Sequence, residues 1–168
     1  MLKSFSVSAL ILLCFSLLET AILSNISILP AIPDLVLLCV LYFSLMNGRM
    51  YGESTGFISG LFLDFLSGAP FGFNCILRTL LGYLSGWLGG TVNYLGFFMP
   101  VLIGFCGTFA KALIVWLMSL FYTSIITYQL FSVMFLFELI ANSLLAPFVF
   151  KFLNLFKNVL STKSEEIE

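Results

Sequence analysis

The chain has 168 residues, of which 61% are hydrophobic and 9% charged, against about 25% charged residues in an ordinary soluble domain. Seven basic and eight acidic side chains cannot coat a water-soluble fold of this length, so its solvent is mostly lipid and a soluble enzyme is excluded. A net charge of −1 also leaves no basic footprint for nucleic acid, whose binding relies on Lys and Arg neutralising phosphates.

The apolar runs predict an all-α polytopic membrane protein with six helices. The first helix covers about residues 5–23, entered from Lys3; a secretory signal peptide is its rival. No small-x-small cleavage site follows and Glu19 interrupts the end, so the helix is expected to stay uncleaved. Pro30 and Pro33 stop this helix. Asp34 then opens a second one over 34–46, placed where the helix dipole favours negative charge. Asn47-Gly48 is a helix stop, and Arg49-Met50-Tyr51 reads as a tight polar link. A third helix over 52–66 turns at Ser67–Gly72 into a fourth over 73–88, and Gly89–Gly96 turns again. Helices over 97–122 and 130–150 complete the membrane domain, residues 1–150. Residues 151–168 read as a short polar cytoplasmic tail, solvated rather than docked.

Continuous apolar runs such as Leu35–Phe43 and Ala112–Met118 argue against a transmembrane β-barrel, whose strands alternate apolar and polar residues. The second and third helices are shorter than the ~20 residues of a perpendicular span, so five or six full spans both fit. With six, Lys3, Arg49, Lys151, Lys157 and Lys163 share one side, while loops 24–33, 67–72 and 123–129 carry no Lys or Arg. Basic residues stay cytoplasmic, which puts both termini in the cytoplasm.

The chemistry-bearing inventory is thin. There is no histidine, hence no imidazole base or metal ligand. The cysteines Cys14, Cys39, Cys75 and Cys106 lie far apart in apolar runs and read as inert thiols. No phosphate loop, nucleophile elbow or zinc motif occurs, so neither a catalytic residue nor a cofactor is expected.

Charges inside the helices are the informative residues, because each costs roughly 2.5–3.5 kcal/mol at a helix centre on insertion scales. They are Glu19, Asp64, Arg78, Lys111 and Glu138, with Asp34 at one mouth. In a hairpin centred on Phe71, Asp64 and Arg78 lie at equal depth, which predicts an ion pair. Lys111 and Glu138 match in the same way across a loop centred near Ser124–Ile125. Glu19 has no assignable partner. Gly52, Gly56, Gly60 and Asp64 recur every fourth residue, as do Arg78, Gly82, Gly86 and Gly90. Steps of four stay on one face, and glycine there lets two membrane helices approach closely. A rival expectation makes Asp34, Asp64 and Arg78 the lining of an outward-facing solute cavity.

The ordered set Pro33-Asp34-Leu35, Asn47-Gly48, Gly52-Glu53-x-x-Gly56-Phe57-x-x-Gly60-Leu61-x-x-Asp64 and Ser67-Gly68-x-Pro70-Phe71-Gly72 resembles the rod shape-determining MreD family. Carried over by position, the motif residues are Pro33, Asp34, Gly56, Gly60, Asp64, Gly68, Gly72 and Arg78. The resemblance implies a multi-pass protein of the bacterial cytoplasmic membrane, in a six-helix fold similar to the S components of energy-coupling-factor transporters. It further implies a non-enzymatic scaffold of the cell-elongation machinery. Its expected partners are the single-span protein MreC and, beyond it, MreB, RodA and penicillin-binding proteins; a homo-oligomer is compatible with the sequence. The alternative is the substrate-binding membrane subunit of a small-solute, vitamin-type importer.

Overall fold

The computed structural model describes residues 2–25, 30–92, 94, 96–121 and 132–162. Loop 123–129, the end of the tail from Lys163, and parts of the 24–33 and 89–96 links lie outside the described residues. The rest is all helical: α1 (Leu2–Leu17), α2 (Leu35–Asn47), α3 (Arg49–Ser67), α4 (Phe73–Gly86), α5 (Phe98–Phe121), α6 (Val133–Asn154) and the short α7 (Lys157–Leu160). Beyond Leu17 the first helix widens into a π turn, Leu18–Ile22, and then tightens into a 3₁₀ turn, Leu23–Asn25. Among the described residues, three helical stretches are long and apolar enough to cross a membrane: Lys3–Ile22, Phe98–Ser119 and Val133–Asn154.

α2 forms the centre. Ten consecutive residues, Val36 to Leu45, are buried, as expected of a helix that is apolar on every side. Its 13 residues reach only about 20 Å at 1.5 Å each, short of a hydrocarbon core of about 30 Å. One end of α2 is therefore surrounded by protein. The other end turns at Gly48, whose φ of +88° suits glycine alone. That single residue makes the corner. Arg49, Met50 and Tyr51 are accordingly the first turn of α3 rather than a link, with Gly52 donating its amide to the Gly48 carbonyl at 3.0 Å.

α3 and α4 make the closest helix pair, through glycine. A Cβ on Gly52 would meet the Gly82 carbonyl, one on Gly56 the Arg78 carbonyl, one on Gly60 the Asn74 carbonyl, and one on Gly86 the Arg49 backbone. The backbones touch because nothing stands between them. These facing pairs centre the hairpin on Ser67, not on Phe71. The reason lies in the turn: α3 ends at Ser67 with Gly68 at φ +67°. Residues 69–72 then run on as an asymmetric connection before α4 begins at Phe73.

The end of the bundle that holds Gly48 also gathers the start of α1, which carries Lys3, and the C-terminal segment, which carries Lys157. Phe5 near the start of α1 packs edge-on against Tyr51, and Ser8 Oγ lies 2.7 Å from the Tyr51 hydroxyl. Arg49 stacks over Trp87. The C-terminal segment docks here as well, which corrects the expectation of a solvated tail from residue 151. α6 continues to Asn154, and α7 packs on α1 with Leu160 wholly buried. Asn47 latches the segment, donating from Nδ2 to the Leu160 carbonyl at 3.1 Å and accepting from the Thr162 amide at 3.0 Å.

Candidate functional site

The buried end of α2 sets the problem that the site solves. A helix N-terminus carries four amides without intrahelical partners, and inside a bundle no bulk water supplies acceptors. Here each amide of the first turn is accounted for. Leu35 donates to the Pro33 carbonyl at 3.2 Å, Val36 to Glu19 Oε2 at 3.2 Å, and Leu37 to Asp34 Oδ1 at 2.8 Å. Leu38 reaches the Asp34 carbonyl at 3.4 Å, and the Asp34 amide itself donates to Asn142 Oδ1 at 2.8 Å. Glu19 thus finds its role in the π turn of α1, whose widened backbone carries the carboxylate to the head of α2.

Asp34 is also the hub of the ion pairs. Arg78 Nη2 donates to its Oδ1 at 2.8 Å and Lys111 Nζ to its Oδ2 at 2.6 Å. The same Lys111 Nζ lies 2.6 Å from Glu138 Oε1. Asn142, one helical turn beyond Glu138, passes a hydrogen bond on to Thr108 Oγ1 at 3.0 Å, and Thr108 donates to the Gly104 carbonyl at 2.8 Å. The network joins the extension of α1 to α2, α4, α5 and α6. Asp34 and Arg78 are 3% exposed, Lys111 and Glu138 19% and 12%. The cluster is therefore closed at Arg78 and opens slightly along the α5–α6 edge. Three carboxylates face two cations, and Arg78 Nε and Nη1 are buried without a hydrogen-bond partner among the described residues.

The expected Asp64–Arg78 pair is corrected by this geometry. Asp64 instead caps α4, accepting from the Gly72, Asn74 and Cys75 amides at 2.8, 2.9 and 3.3 Å and from Asn74 Nδ2 at 3.0 Å. The hairpin register is the cause, since it sets Arg78 level with Gly56, in the middle of α3, and Asp64 level with the start of α4. α4 needs the outside carboxylate because its own N-cap is Gly72, which has no side chain to offer. Asp34, Asp64 and Arg78 consequently do not line one cavity: the first and third are sealed against each other and the second is held by backbone amides. Pro33 precedes the cap at the head of α2, Gly68 and Gly72 take left-handed φ values in the α3–α4 turn, and Gly52, Gly56, Gly60, Gly82 and Gly86 form the seam.

Sequence reasoning places Asn142 one turn from Glu138 without assigning it a partner, and it missed Thr108 as a member of the cluster. The available signal for Thr108 was its spacing, one turn before Lys111, which keeps polar groups on one helix face. No grouping of His, Cys, Asp and Glu among the described residues suits a metal ion.

Because Asp64 and Arg78 share no partner, their contributions should add. Asp64→Asn is expected to cost about 1–2 kcal/mol as a weakened, formerly charged helix cap. Combined with Arg78→Gln, the loss should equal the sum of the two single losses in a thermal or denaturant melt in detergent; a smaller combined loss would restore the direct pair.

The family model described as rod shape-determining protein MreD matches residues 3–156. No curated protein and no solved structure matches the chain.

Proposed function

The chain belongs to the MreD family of rod shape-determining membrane proteins, and on that premise we propose that it is a non-enzymatic scaffold of the bacterial cell-elongation complex. In this reading it binds MreC in the cytoplasmic membrane and helps to position lateral peptidoglycan synthesis by the MreB, RodA and penicillin-binding-protein machinery. Helices α1–α6 lie in the bilayer with both termini in the cytoplasm. The grouping of Lys3, Arg49 and Lys157 with the docked C-terminal segment at one end of the bundle supports that orientation.

The observation that carries the scaffold reading is where the polar groups are. The ionic side chains of the helix interiors hold helices and caps to one another: Asp34 ties α2 to α4, α5 and α6, and Glu19 ties the π turn that follows α1 to the head of α2. What remains for a partner is the outside. On α6, Leu136, Ile140, Leu144 and Phe148 recur every fourth residue and all are exposed, a continuous apolar ridge for helix packing within a bilayer. The mechanism is positional: a rigid bundle presents this ridge at a fixed angle.

The test is purification of the full-length protein from its native membrane in mild detergent, with mass spectrometry of what accompanies it. A single-span coiled-coil protein and wall synthases are expected. Leu144→Trp together with Phe148→Ala should remove the single-span protein while leaving the melting temperature unchanged. A deletion strain that stays rod-shaped, or retention of the partner by the double variant, would overturn the reading.

A further inference from the structure

α5 and α6 approach closely where Gly104 meets Asn142, Ser143 and Ala146, since the glycine brings no side chain to the contact. One turn nearer the end of the bundle that holds Gly48, Pro100 and Pro147 flank a pocket of about 400 Å³, with Phe97 and Phe150 as apolar walls. Three polar side chains also line it: Tyr94, Lys151 and Asn154. The Tyr94 ring is set edge-on to Tyr42 at 5.5 Å, and the Tyr42 hydroxyl lies 3.5 Å from Asn154 Oδ1. That leaves the Tyr94 hydroxyl, Lys151 Nζ and Asn154 Nδ2 without a partner among the described residues. All three groups can donate a hydrogen bond, and Lys151 brings a full positive charge. No acidic residue lines the pocket. Donors gathered around a cation complement an anionic oxygen ligand.

The place of the pocket in the bundle says what kind of anion it meets. It lies toward the end of α6, before the docked C-terminal segment, and tyrosine and lysine side chains are common anchors at the membrane–water boundary. Phe97 is itself exposed, as are its neighbour Phe98 and the neighbour of Asn154, Leu155. An occupant held at Lys151 therefore has apolar surface beside it, facing the bilayer. Basic pockets between membrane helices on the cytoplasmic side suit phospholipid head groups. We infer that this pocket holds the phosphate of an anionic phospholipid of the cytoplasmic leaflet. Lys151 is its counter-charge, Asn154 and Tyr94 are its hydrogen-bond donors, and its acyl chains run along the exposed apolar side chains. The inference rests on the orientation of the bundle in the bilayer and not on which protein the chain scaffolds.

Native mass spectrometry of the full-length protein, titrated in detergent with phosphatidylglycerol or phosphatidylcholine of identical acyl chains, tests it. The wild type is expected to retain one phosphatidylglycerol and to prefer it about fivefold, the equivalent of about 1 kcal/mol for one basic residue at a membrane surface. Lys151→Gln should abolish that preference. Lys157→Gln, at the same end of the bundle but outside the pocket, should leave it unchanged. Gly96→Trp, on the pocket wall, should lose the bound lipid; a Cβ there meets nothing within 4 Å, so the fold accepts it. It decides the matter should Lys151→Gln fail to fold. Equal retention of the two lipids by the wild type, an unchanged preference in Lys151→Gln, or undiminished binding in folded Gly96→Trp would each overturn the assignment. An equal loss in Lys157→Gln would replace it with diffuse surface attraction, and displacement of the lipid by millimolar inorganic phosphate would replace it with a free-phosphate site.

Discussion

Asp34→Asn is expected to destabilise the protein by about 3–5 kcal/mol, the range for breaking a buried ion pair from one side. Asparagine keeps the shape of the residue and can still accept from the Leu37 amide, so the cap at the head of α2 survives. What disappears is the negative charge that both Arg78 and Lys111 share, at 2.8 and 2.6 Å. Lys111 retains Glu138, whereas Arg78 is left 3% exposed with no carboxylate against it. Arg78→Gln should be harmful for the complementary reason, although less so, because Lys111 still neutralises Asp34. Combining the two substitutions removes one charge of each sign and leaves the Lys111–Glu138 pair in place. The double variant should therefore be more stable than the sum of the single losses predicts, by the coupling expected of residues in contact. The measurement is a double-mutant cycle of melting curves in detergent, with folded yield from membranes as a second readout. Strict additivity, or wild-type stability in Asp34→Asn, would show that Asp34 is not the hub.

The second large effect belongs to the glycine seam. Gly56→Leu is expected to prevent folding outright, because its Cβ would collide with the Arg78 carbonyl and lie 2.8 Å from the carbonyl carbon. Backbone cannot step aside as the end of a flexible side chain can, so the helices must separate. Separation would also pull Arg78 away from Asp34, coupling the seam to the charge cluster. Gly60→Leu should behave alike, with the Asn74 carbonyl oxygen at 2.5 Å from the added carbon. Two other glycines calibrate the result. Gly68→Ala meets nothing within 4 Å and has only the strain of φ +67°, about 1–2 kcal/mol for an L-residue in that region. Gly96→Ala has open space and no positive φ, and should be silent. Folded yield by size-exclusion chromatography of the four variants separates these outcomes; a folded, monodisperse Gly56→Leu protein would mean that the seam is not close-packed.

The candidate site was partly legible in the sequence. Charge in an apolar helix announces itself, so Arg78, Lys111 and Glu138 stand out, as does Asp34 at a helix start. Lys111 and Glu138 could be matched by depth because an antiparallel connection nearly fixes it. Arg78 could not be matched that way. Its partner lies 44 residues away in the chain, and the nearer candidate, Asp64, is equally plausible by spacing alone. The choice between them rests on a hairpin register set by the left-handed Gly68 and the asymmetric path of residues 69–72. Glu19 was opaque because its reach depends on a π turn, and nothing in Leu-Glu-Thr-Ala-Ile requires one. The tail was misread because Lys157 and Asn158 look solvated in one dimension, while burial of Leu160 and the Asn47 latch appear only when α1, α2 and α7 meet.

By itself, then, the sequence determined the solvent, the helical class, the helix stop at Asn47-Gly48 and the glycine faces of α3 and α4. These follow from composition and from the 3.6-residue period, which are local properties of the chain. The tertiary structure decided which charge meets which and how deep each lies. It also decided that α2 begins inside the protein on caps supplied by its own Asp34 and by Glu19 of α1. Those are properties of packing. A buried amide or cation must be satisfied by whatever group the neighbouring helices bring to it, and which group that is depends on register and on crossing geometry that no single segment encodes.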